Sequence, residues 1–456
     1  MFSGRVLATY RAVISSYWFL PLTLILGGVL LAIGLTLLDQ FVGEGLLPQD
    51  LLLGPTTPEG ARTLLSTIGG SMLSVAGVVF SVTLATIVFA SGQYGPHVLP
   101  QYQRDRQAQA TLGLMLAAFA YCTTALFTVQ AGEKDFVPAL AILGALALAA
   151  AAIGMLIAFI AHMLAMLHIS NIVARIAEQT LHLLDDEMPL NPPRDAAASG
   201  TGRKTEFLTG EGDPLLCGEG RGYISTIGTQ KLVELAKEHD LQADILVRPG
   251  DFVTPLSVLA RLTPALPDEE AQTALRHAFA WGRRRTPDED VAFTLDELCT
   301  IAFRALSPGI NDPFTATDVL RHLTAIIERA SSGKCRQSIH SDEEGVPRIR
   351  RPVLSFGDVV RLTLDRLATD AARNPTVAPI MLEVYDDLLI RLSDEDHRER
   401  LLRSAETFAK ACADQLSTEG KRQDIAEAMA RLRRRAASER GAGTLRISRL
   451  EEGVGP

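Results

Sequence analysis

The stretch LLSTIGGSMLSVAGVVFSVTLATIVFA, Leu64 to Ala90, decides the fold of this chain. It is predominantly apolar, and no Asp, Glu, Lys or Arg occurs between Arg62 and Arg104. About 20 consecutive apolar residues are enough for an α-helix to cross the hydrocarbon core of a bilayer. The stretch exceeds that length, so it predicts a membrane-spanning helix.

Three further apolar runs lie near this stretch, at Ser16–Leu38, Thr111–Gln130 and Pro138–Ala161. Four such runs within the first third of the chain cannot all be core helices of a soluble domain. The first run is too long for the hydrophobic region of a signal peptide, about 7–15 residues, and no small-x-small cleavage site follows it. We therefore predict a transmembrane domain over 1–165, with its four helices at about 16–38, 64–90, 111–130 and 138–161.

The basic residues of the short loops favour one orientation in the membrane. One side carries Arg5, Arg11, Arg104, Arg106 and Arg175, and the other carries Arg62 and Lys134. Lys and Arg are enriched in the cytoplasmic loops of membrane proteins. We therefore expect the N-terminus, the 91–110 loop and the whole region after residue 162 to face the cytoplasm.

The region after the fourth run is much more polar and predicts a cytoplasmic α+β domain that is mainly helical. Its expected parts are a helical stalk (166–188), a linker (189–219), a small α+β subdomain (220–265), a helical subdomain (266–330), a C-terminal helical region (350–438) and a disordered tail (439–456). The fold class is therefore a membrane protein with four transmembrane α-helices followed by this domain.

Three local boundaries within this region are also predicted. The fourth membrane helix continues without a break into the stalk, because its amphipathic pattern persists. The first helix of the helical subdomain covers about 268–283. The next helix opens at TPDED, with Thr286 as its N-cap and Pro287 in its first position.

Small residues form a stripe along the second membrane helix. Gly70, Ser74, Gly77 and Ser81 follow one another at steps of four, three and four, which places them on one helix face. Such a stripe commonly lets membrane helices pack closely, with the hydroxyls bonded to the helix backbone. The alternative is that the stripe lines a water-filled path at the centre of an oligomer, and both interpretations stay open.

Three basic or titratable residues follow the cytoplasmic end of this helix: His97, Arg104 and Arg106. At the mouth of a pathway they would form a positive vestibule that favours anions. No membrane helix carries a charged residue near its centre, which argues against a proton-coupled transporter. No Walker motif is present either, so a passive pathway is favoured over a driven one.

The motif RALSPGINDPFTATD, Arg304 to Asp318, separates two predicted helices. Pro308 ends the first helix, and we expect Gly309 to take a left-handed conformation there. Asp312 and Pro313 then supply the N-cap and first residue of the next helix.

This arrangement leaves three polar residues of the motif unexplained, Ser307, Asn311 and Thr315. For these three and Asp312, a contact or gating role is favoured over catalysis. An enzyme using Asp312 or Asp290 as its acid or base is the weakest alternative, since neither has a His or a second acid at a suitable spacing.

Composition limits the partners and cofactors that can be expected. The net charge of −9 gives no reason to expect a nucleic-acid partner. The five cysteines are scattered and form no CxxC or Cys/His cluster, so we predict neither a disulfide framework nor a metal site. No cofactor and no catalytic residue are predicted.

Several motifs in this order resemble those of a known family. They are GGSMLSVAGVVFSVTLATIVFASGQYGPHVL, RDRQAQATLGLMLAAFAYC, GYI, RPGDFV, RRTPDEDVAFTLDEL and IAFRALSPGINDPFTA. Together they are similar to a family of predicted bacterial integral membrane proteins of unknown function, over about residues 5–330. The resemblance implies a multi-pass protein of the bacterial inner membrane and assigns no binding or catalytic residue.

Two functional hypotheses follow. The first is a homo-oligomeric passive channel for small ions, lined by the second helix and regulated by the cytoplasmic domain. The second is a membrane-anchored sensor or scaffold whose large cytoplasmic domain binds a partner or ligand. The bilayer is a partner in both.

Overall fold

The computed structural model describes ten segments, 16–42, 57–94, 105–129, 138–166, 168–187, 212–218, 220–265, 267–332, 337–415 and 420–435. These residues divide into two compact units at His168 and Ile169. We call the first the membrane unit and the second the C-terminal unit.

The membrane unit consists of four helices that are each long and apolar enough to cross a bilayer. They are α1 (Phe19–Val42), α2 (Pro58–Tyr94), α3 (Arg106–Leu126) and α4 (Ala139–Met166). The prediction of four membrane helices is confirmed.

Helix α3 lies at the centre of the membrane unit. In its apolar window 56% of the residues are buried, against 22% to 28% in the other three helices. It approaches α1 closely where Gly28 faces the backbone of Ala117: a Cβ on Gly28 would lie 2.6 Å from the Ala117 oxygen. Small residues thus bring the α1 and α3 backbones together, as is usual between membrane helices.

Several polar contacts among the described residues of this unit involve the helix backbone. The Tyr121 hydroxyl donates to the Ala141 carbonyl at 2.7 Å and so joins α3 to α4. Near the end of α1, the Asp39 carboxylate accepts hydrogen bonds from the amides of Leu140 and Ala141 at 3.1 and 3.2 Å. It thereby satisfies free N–H groups in the first turn of α4.

The C-terminal unit contains a mixed five-stranded sheet and an antiparallel three-stranded sheet. Its strands are β1 (Asp213–Leu216), β2 (Gly222–Ile227), β3 (Gln242–Ile245), β4 (Phe252–Val253), β5 (Val258–Thr263), β6 (Phe279–Gly282), β7 (Gln337–Ser341) and β8 (Pro347–Pro352). Their orders are β1-β5-β3-β8-β7 and β4-β2-β6, with β3 and β8 parallel.

Helices make up most of this unit. They are α5 (Ile169–Glu187), α6 (Thr229–Glu238), α7 (Glu269–Arg276), α8 (Val291–Leu306), α9 (Pro313–Ser332), α10 (Phe356–Val360), α11 (Arg366–Arg373), α12 (Val377–Arg391), α13 (Glu395–Gln415) and α14 (420–435), with a π-helical turn at Arg361–Asp365. The combination of strands and predominant helix confirms the predicted fold class.

The hairpin of α8 and α9 packs against α5. Helix α5 buries a stripe at helical spacing, formed by Ile172, Val173, Ile176, Ala177, Thr180 and Leu184. The stalk predicted from sequence is therefore an integral part of the C-terminal unit.

The three boundary predictions were wrong. Helix α4 ends at Met166 and α5 begins at Ile169, with His168 outside both helices. Helix α7 ends at Arg276 because the following residues form β6, which pairs with β2. Helix α8 begins at Val291, where the Asp290 carboxylate accepts from the Phe293 amide at 2.9 Å, so Asp290 and not Thr286 is the cap.

Candidate functional site

The stripe on α2 faces away from the rest of the membrane unit. Gly70, Ser74, Gly77 and Ser81 are all exposed. The opposite side of α2 buries Ala61, Leu65, Met72, Ala76 and Val79. With about 100° between successive helix residues, these two sets lie on opposite faces of α2.

The local geometry of the stripe shows that it is not used for packing within the described part of one chain. The Ser74 hydroxyl donates to the Gly70 carbonyl at 3.0 Å, and the Ser81 hydroxyl donates to the Gly77 carbonyl at 2.9 Å. A Cβ added at Gly70 or Gly77 would meet no atom within 4 Å. Close packing of α2 inside one chain uses the neighbouring Gly69 instead, whose Cβ position lies 3.2 Å from Cys122.

Of the three residues predicted at the cytoplasmic mouth, only one can be located. Arg106 is exposed in the first turn of α3, while His97 and Arg104 lie outside the described residues. Beside Arg106, Asp105 is the N-cap of α3 and accepts from the Gln107 amide at 3.1 Å.

Asp105 also pairs with a histidine from α4. The His162 Nε2 lies 3.1 and 3.0 Å from the two Asp105 carboxylate oxygens, and the Asp105 side chain is 8% exposed. This pair joins the start of α3 to the end of α4. Sequence reasoning missed it because the two residues are 57 positions apart and share no helix face.

The Ser307–Thr315 loop is held together by its own polar groups. Asp312 caps α9, accepting from the amides of Phe314 and Thr315 at 3.1 and 3.2 Å, and Thr315 returns a hydroxyl hydrogen bond at 2.5 Å. The Ser307 hydroxyl donates to the Arg304 carbonyl at 2.6 Å. The predicted cap at Asp312 is confirmed.

The left-handed residue of this loop is Asn311, with φ of +47°, and not Gly309 as predicted. Asn enters this region more readily than other non-glycine residues because its side chain can hydrogen-bond locally. The Asn311 side-chain oxygen accepts a hydrogen bond from the side-chain Nδ2 of Asn374 at 3.3 Å. Ser307, Asn311 and Thr315 thus all have structural partners, whereas Ile310 and Phe314 remain exposed.

A second group of charges surrounds the last residue of α5, Glu187. One of its carboxylate oxygens, Oε2, is buried and accepts no hydrogen bond from the residues that the structure describes. Burial raises the pKa of Glu187 to about 7, with Arg351 and Arg248 opposing the rise. This carboxyl therefore titrates near neutral pH, which sequence spacing could not have indicated.

The neighbouring Asp290 has a structural role. Its carboxylate accepts from the Arg285 guanidinium at 2.8 and 3.0 Å in addition to capping α8. Burial raises the pKa of Asp290, and Arg285 opposes that rise. The two acids named in the enzyme hypothesis, Asp290 and Asp312, are thus both engaged in capping helices.

Metal ligation is a further chemical use for such acids. Among the described residues no group of three or more His, Cys, Asp or Glu side chains could hold a metal ion. The candidate site that remains in the membrane unit is the exposed stripe on α2, and the exposed loop is a separate feature of the C-terminal unit.

Comparison with known proteins supplies the family. Residues 14–387 match the model of the family described as "Predicted membrane protein (DUF2254)". The uncharacterized protein Rv1290c of Mycobacterium tuberculosis H37Rv is 28% identical over 402 residues, covering 84% of this chain and 74% of that protein. The uncharacterized protein Mb1321c of Mycobacterium bovis gives the same values. No solved structure matches. Because the family model covers most of its length, the chain belongs to the DUF2254 family of predicted membrane proteins.

Proposed function

We propose that this protein is a passive pathway for small ions, formed by a homo-oligomer in which the α2 stripe lines the path. The observation that carries the proposal is the exposure of Gly70, Ser74, Gly77 and Ser81 on the face of α2 opposite its packed side. Within the described part of one chain these residues are exposed, and a symmetric assembly could gather several copies of them around an axis.

The chemistry of the stripe suits a wet surface better than a lipid-facing one. Because Ser74 and Ser81 donate their protons to the helix backbone, their oxygen lone pairs are free to accept from water or to contact a cation. Gly70 and Gly77 leave room beside them. Large apolar side chains such as Val78 and Phe80 cover adjacent parts of the helix and suit lipid.

The proposal includes a location and an orientation. The family resemblance and the distribution of basic residues support the bacterial inner membrane, with both termini in the cytoplasm. His97, Arg104 and Arg106 would then line the cytoplasmic mouth. Labelling of single cysteines by an impermeant reagent in intact cells would test this: modification near residue 50 and protection near residue 100 are expected.

Ion flux in liposomes tests the pathway itself. Purified protein should carry K⁺ or Cl⁻ faster than empty liposomes, and Ser74→Leu or Ser81→Leu should reduce that flux several-fold by filling the path. Val82→Leu is the matched control, since Val82 is also exposed on α2 but points about 100° away from Ser81. Flux no greater than that of empty liposomes would end the proposal.

A sensor is the second candidate, and one observation favours it. The Glu187 carboxyl, at the end of the helix that follows the membrane unit, has a pKa near 7 and could report a change of pH or charge. A sensor requires a bound partner or ligand. Stoichiometric capture of one by the C-terminal unit, with no flux in liposomes, would favour this function over a channel.

A further inference from the structure

Two apolar side chains in the Ser307–Thr315 loop are exposed in the described chain. Phe314 is 83% exposed and Ile310 is 47% exposed. The polar residues around them are bonded within the loop or to Asn374, so these two side chains are displayed on a fixed scaffold. The proposed ion pathway makes no use of them.

Two hydrogen bonds made by α5 locate this loop within the C-terminal unit. The Gln179 amide donates to the Pro287 carbonyl, just before α8, at 3.1 Å. Near the end of α5, Asp185 accepts from Arg329, in the last turn of α9, at 2.6 Å. The start of α8 and the end of α9 therefore both lie toward the C-terminal end of α5.

The loop that joins α8 to α9 must then lie at the opposite end of α5. At about 1.5 Å per residue, Pro313 is about 24 Å along α9 from Arg329, and Ile169 is the same distance along α5 from Asp185. Helix α12 runs beside α9 in the same direction: Arg391, at the end of α12, bonds Glu328 at 2.7 Å, while Asn374, before α12, bonds the loop.

This end of the unit is tethered close to the bilayer. Ile169 follows Met166, the last residue of the membrane-spanning α4, by three positions. Three residues reach at most about 10 Å even when fully extended. The end that displays Ile310 and Phe314 is therefore the end at which the chain leaves the membrane.

Basic side chains accompany the apolar ones. Arg373 is well exposed and only weakly paired, with Asp370 at 3.8 Å. Lys421 lies beside the same segment and bonds the Pro375 carbonyl at 3.4 Å. Both flank Asn374, which contacts the loop. An exposed aromatic ring with cations beside it matches the interface of a bilayer that contains anionic lipid.

We propose that the Ser307–Thr315 loop is a membrane-surface anchor, in which Phe314 and Ile310 insert at the interface of an anionic bilayer. Asp312, Asn311 and Ser307 hold the loop in the shape that presents these two side chains. The anchor would fix the C-terminal unit against the membrane at a second point, in addition to the covalent link to α4. This holds whether or not the protein conducts ions.

Spin labelling of the full-length protein tests the anchor. A label is placed at Phe314→Cys in a Cys335→Ser background and the protein is reconstituted in vesicles of phosphatidylethanolamine and phosphatidylglycerol. The four other cysteines are each at most 2% exposed, and the Cys335→Ser protein gives their background labelling. Ser332→Cys is the matched control, since Ser332 is exposed at the far end of the same helix, α9.

Collision rates with oxygen, which enters lipid, and with a water-soluble nickel chelate then report the surroundings of each label. We expect the oxygen-to-nickel ratio to be several-fold higher at 314 than at 332, and the same result for Ile310→Cys. Equal, water-like ratios at 314, 310 and 332 would overturn the proposal. Shielding of the 314 label from both reagents would also overturn it, because the loop would then be covered by protein.

The lipid composition tests the part assigned to the basic residues. Replacing phosphatidylglycerol by phosphatidylcholine should lower the ratio at 314, and Arg373→Glu should lower it in the anionic vesicles. A ratio that is insensitive to both changes would overturn the role of Arg373 and Lys421.

Discussion

The two units of this protein differ in how many of their large apolar side chains are exposed. In the membrane unit Ala supplies many of the buried contacts beside a few large side chains such as Tyr121, while many other large side chains such as Leu22 and Ile157 are exposed. In the C-terminal unit the large side chains Tyr385 and Phe408 are completely buried. The solvent explains the difference, because lipid gives apolar side chains no reason to leave the surface, whereas water does.

Charges divide in a similar way between the units. The described charges of the membrane unit lie near helix ends, where Asp39 and Asp105 cap helices. The C-terminal unit buries charges within its core, as in the pair of Asp290 with Arg285. Removing a large apolar face or a buried charge should therefore lower stability most in the C-terminal unit. Enlarging a small residue where two helices pack closely should lower stability most in the membrane unit.

The largest effect is expected from removal of α5. A fragment of residues 169–435 should be soluble and folded, whereas a fragment of 212–435 should aggregate. The shorter fragment exposes the surfaces of α8 and α9 that cover the buried stripe of α5. Size-exclusion chromatography and circular dichroism of the two fragments measure the outcome. If both fragments are equally soluble and helical, α5 is a tether and not part of the core.

The buried ion pair should give the next largest effect. Asp290→Ala leaves the half-buried Arg285 with Asp296 as its remaining ion-pair partner among the described residues and removes the cap of α8. Breaking a buried pair in this way costs about 3–5 kcal/mol of unfolding free energy. Urea titration of the 169–435 fragment measures the loss. Arg403→Ala, which breaks an exposed pair with Glu399, is the control and should change stability by less than about 1 kcal/mol.

Glu187 should make the stability of the C-terminal unit fall as pH rises. Its pKa is about 7 in the folded state against 4.5 for the free side chain, so the folded state binds the proton more tightly. Unfolding free energy is therefore lost between pH 4.5 and 7, by at most about 3 kcal/mol. Glu187→Gln should remove this dependence, stabilising the 169–435 fragment at pH 8 and leaving it unchanged near pH 4.5. Equal stabilisation at both pH values would contradict the assignment.

Adjacent glycines in α1 test packing in the membrane unit. Gly28→Leu pushes a side chain against the Ala117 backbone and should lower stability by about 1–3 kcal/mol. Gly27→Leu is the matched control, since a Cβ at Gly27 meets no atom within 4 Å. Thermal unfolding of the detergent-solubilised protein measures both. Equal melting temperatures would show that α1 and α3 do not pack as closely as described.

How far the sequence predicts these features depends on the range of the interaction. Helix existence in the membrane unit follows from local composition alone, and the cap at Asp312 follows from local spacing. Strand β6 was missed because Phe279–Gly282 is extended only through its pairing with β2, about fifty residues earlier. The Asp105–His162 pair and the burial of Glu187 were missed for the same reason. The stripe on α2 was predicted from its period, but only the packed structure shows that it faces outward.

The smallest effect concerns the turn between α8 and α9, where the left-handed residue is an asparagine and not a glycine. Asn311 adopts the left-handed conformation, so Asn311→Ala should lower the unfolding free energy of the 169–435 fragment by about 1 kcal/mol. Gly309→Ala should leave it nearly unchanged, since a Cβ there meets nothing within 4 Å and its φ is not left-handed. Asn311→Gly relieves the backbone strain and should cost less than Asn311→Ala. If Gly309→Ala is the more damaging change in urea titrations, the turn has the conformation that the sequence first suggested, with the strained residue two positions earlier.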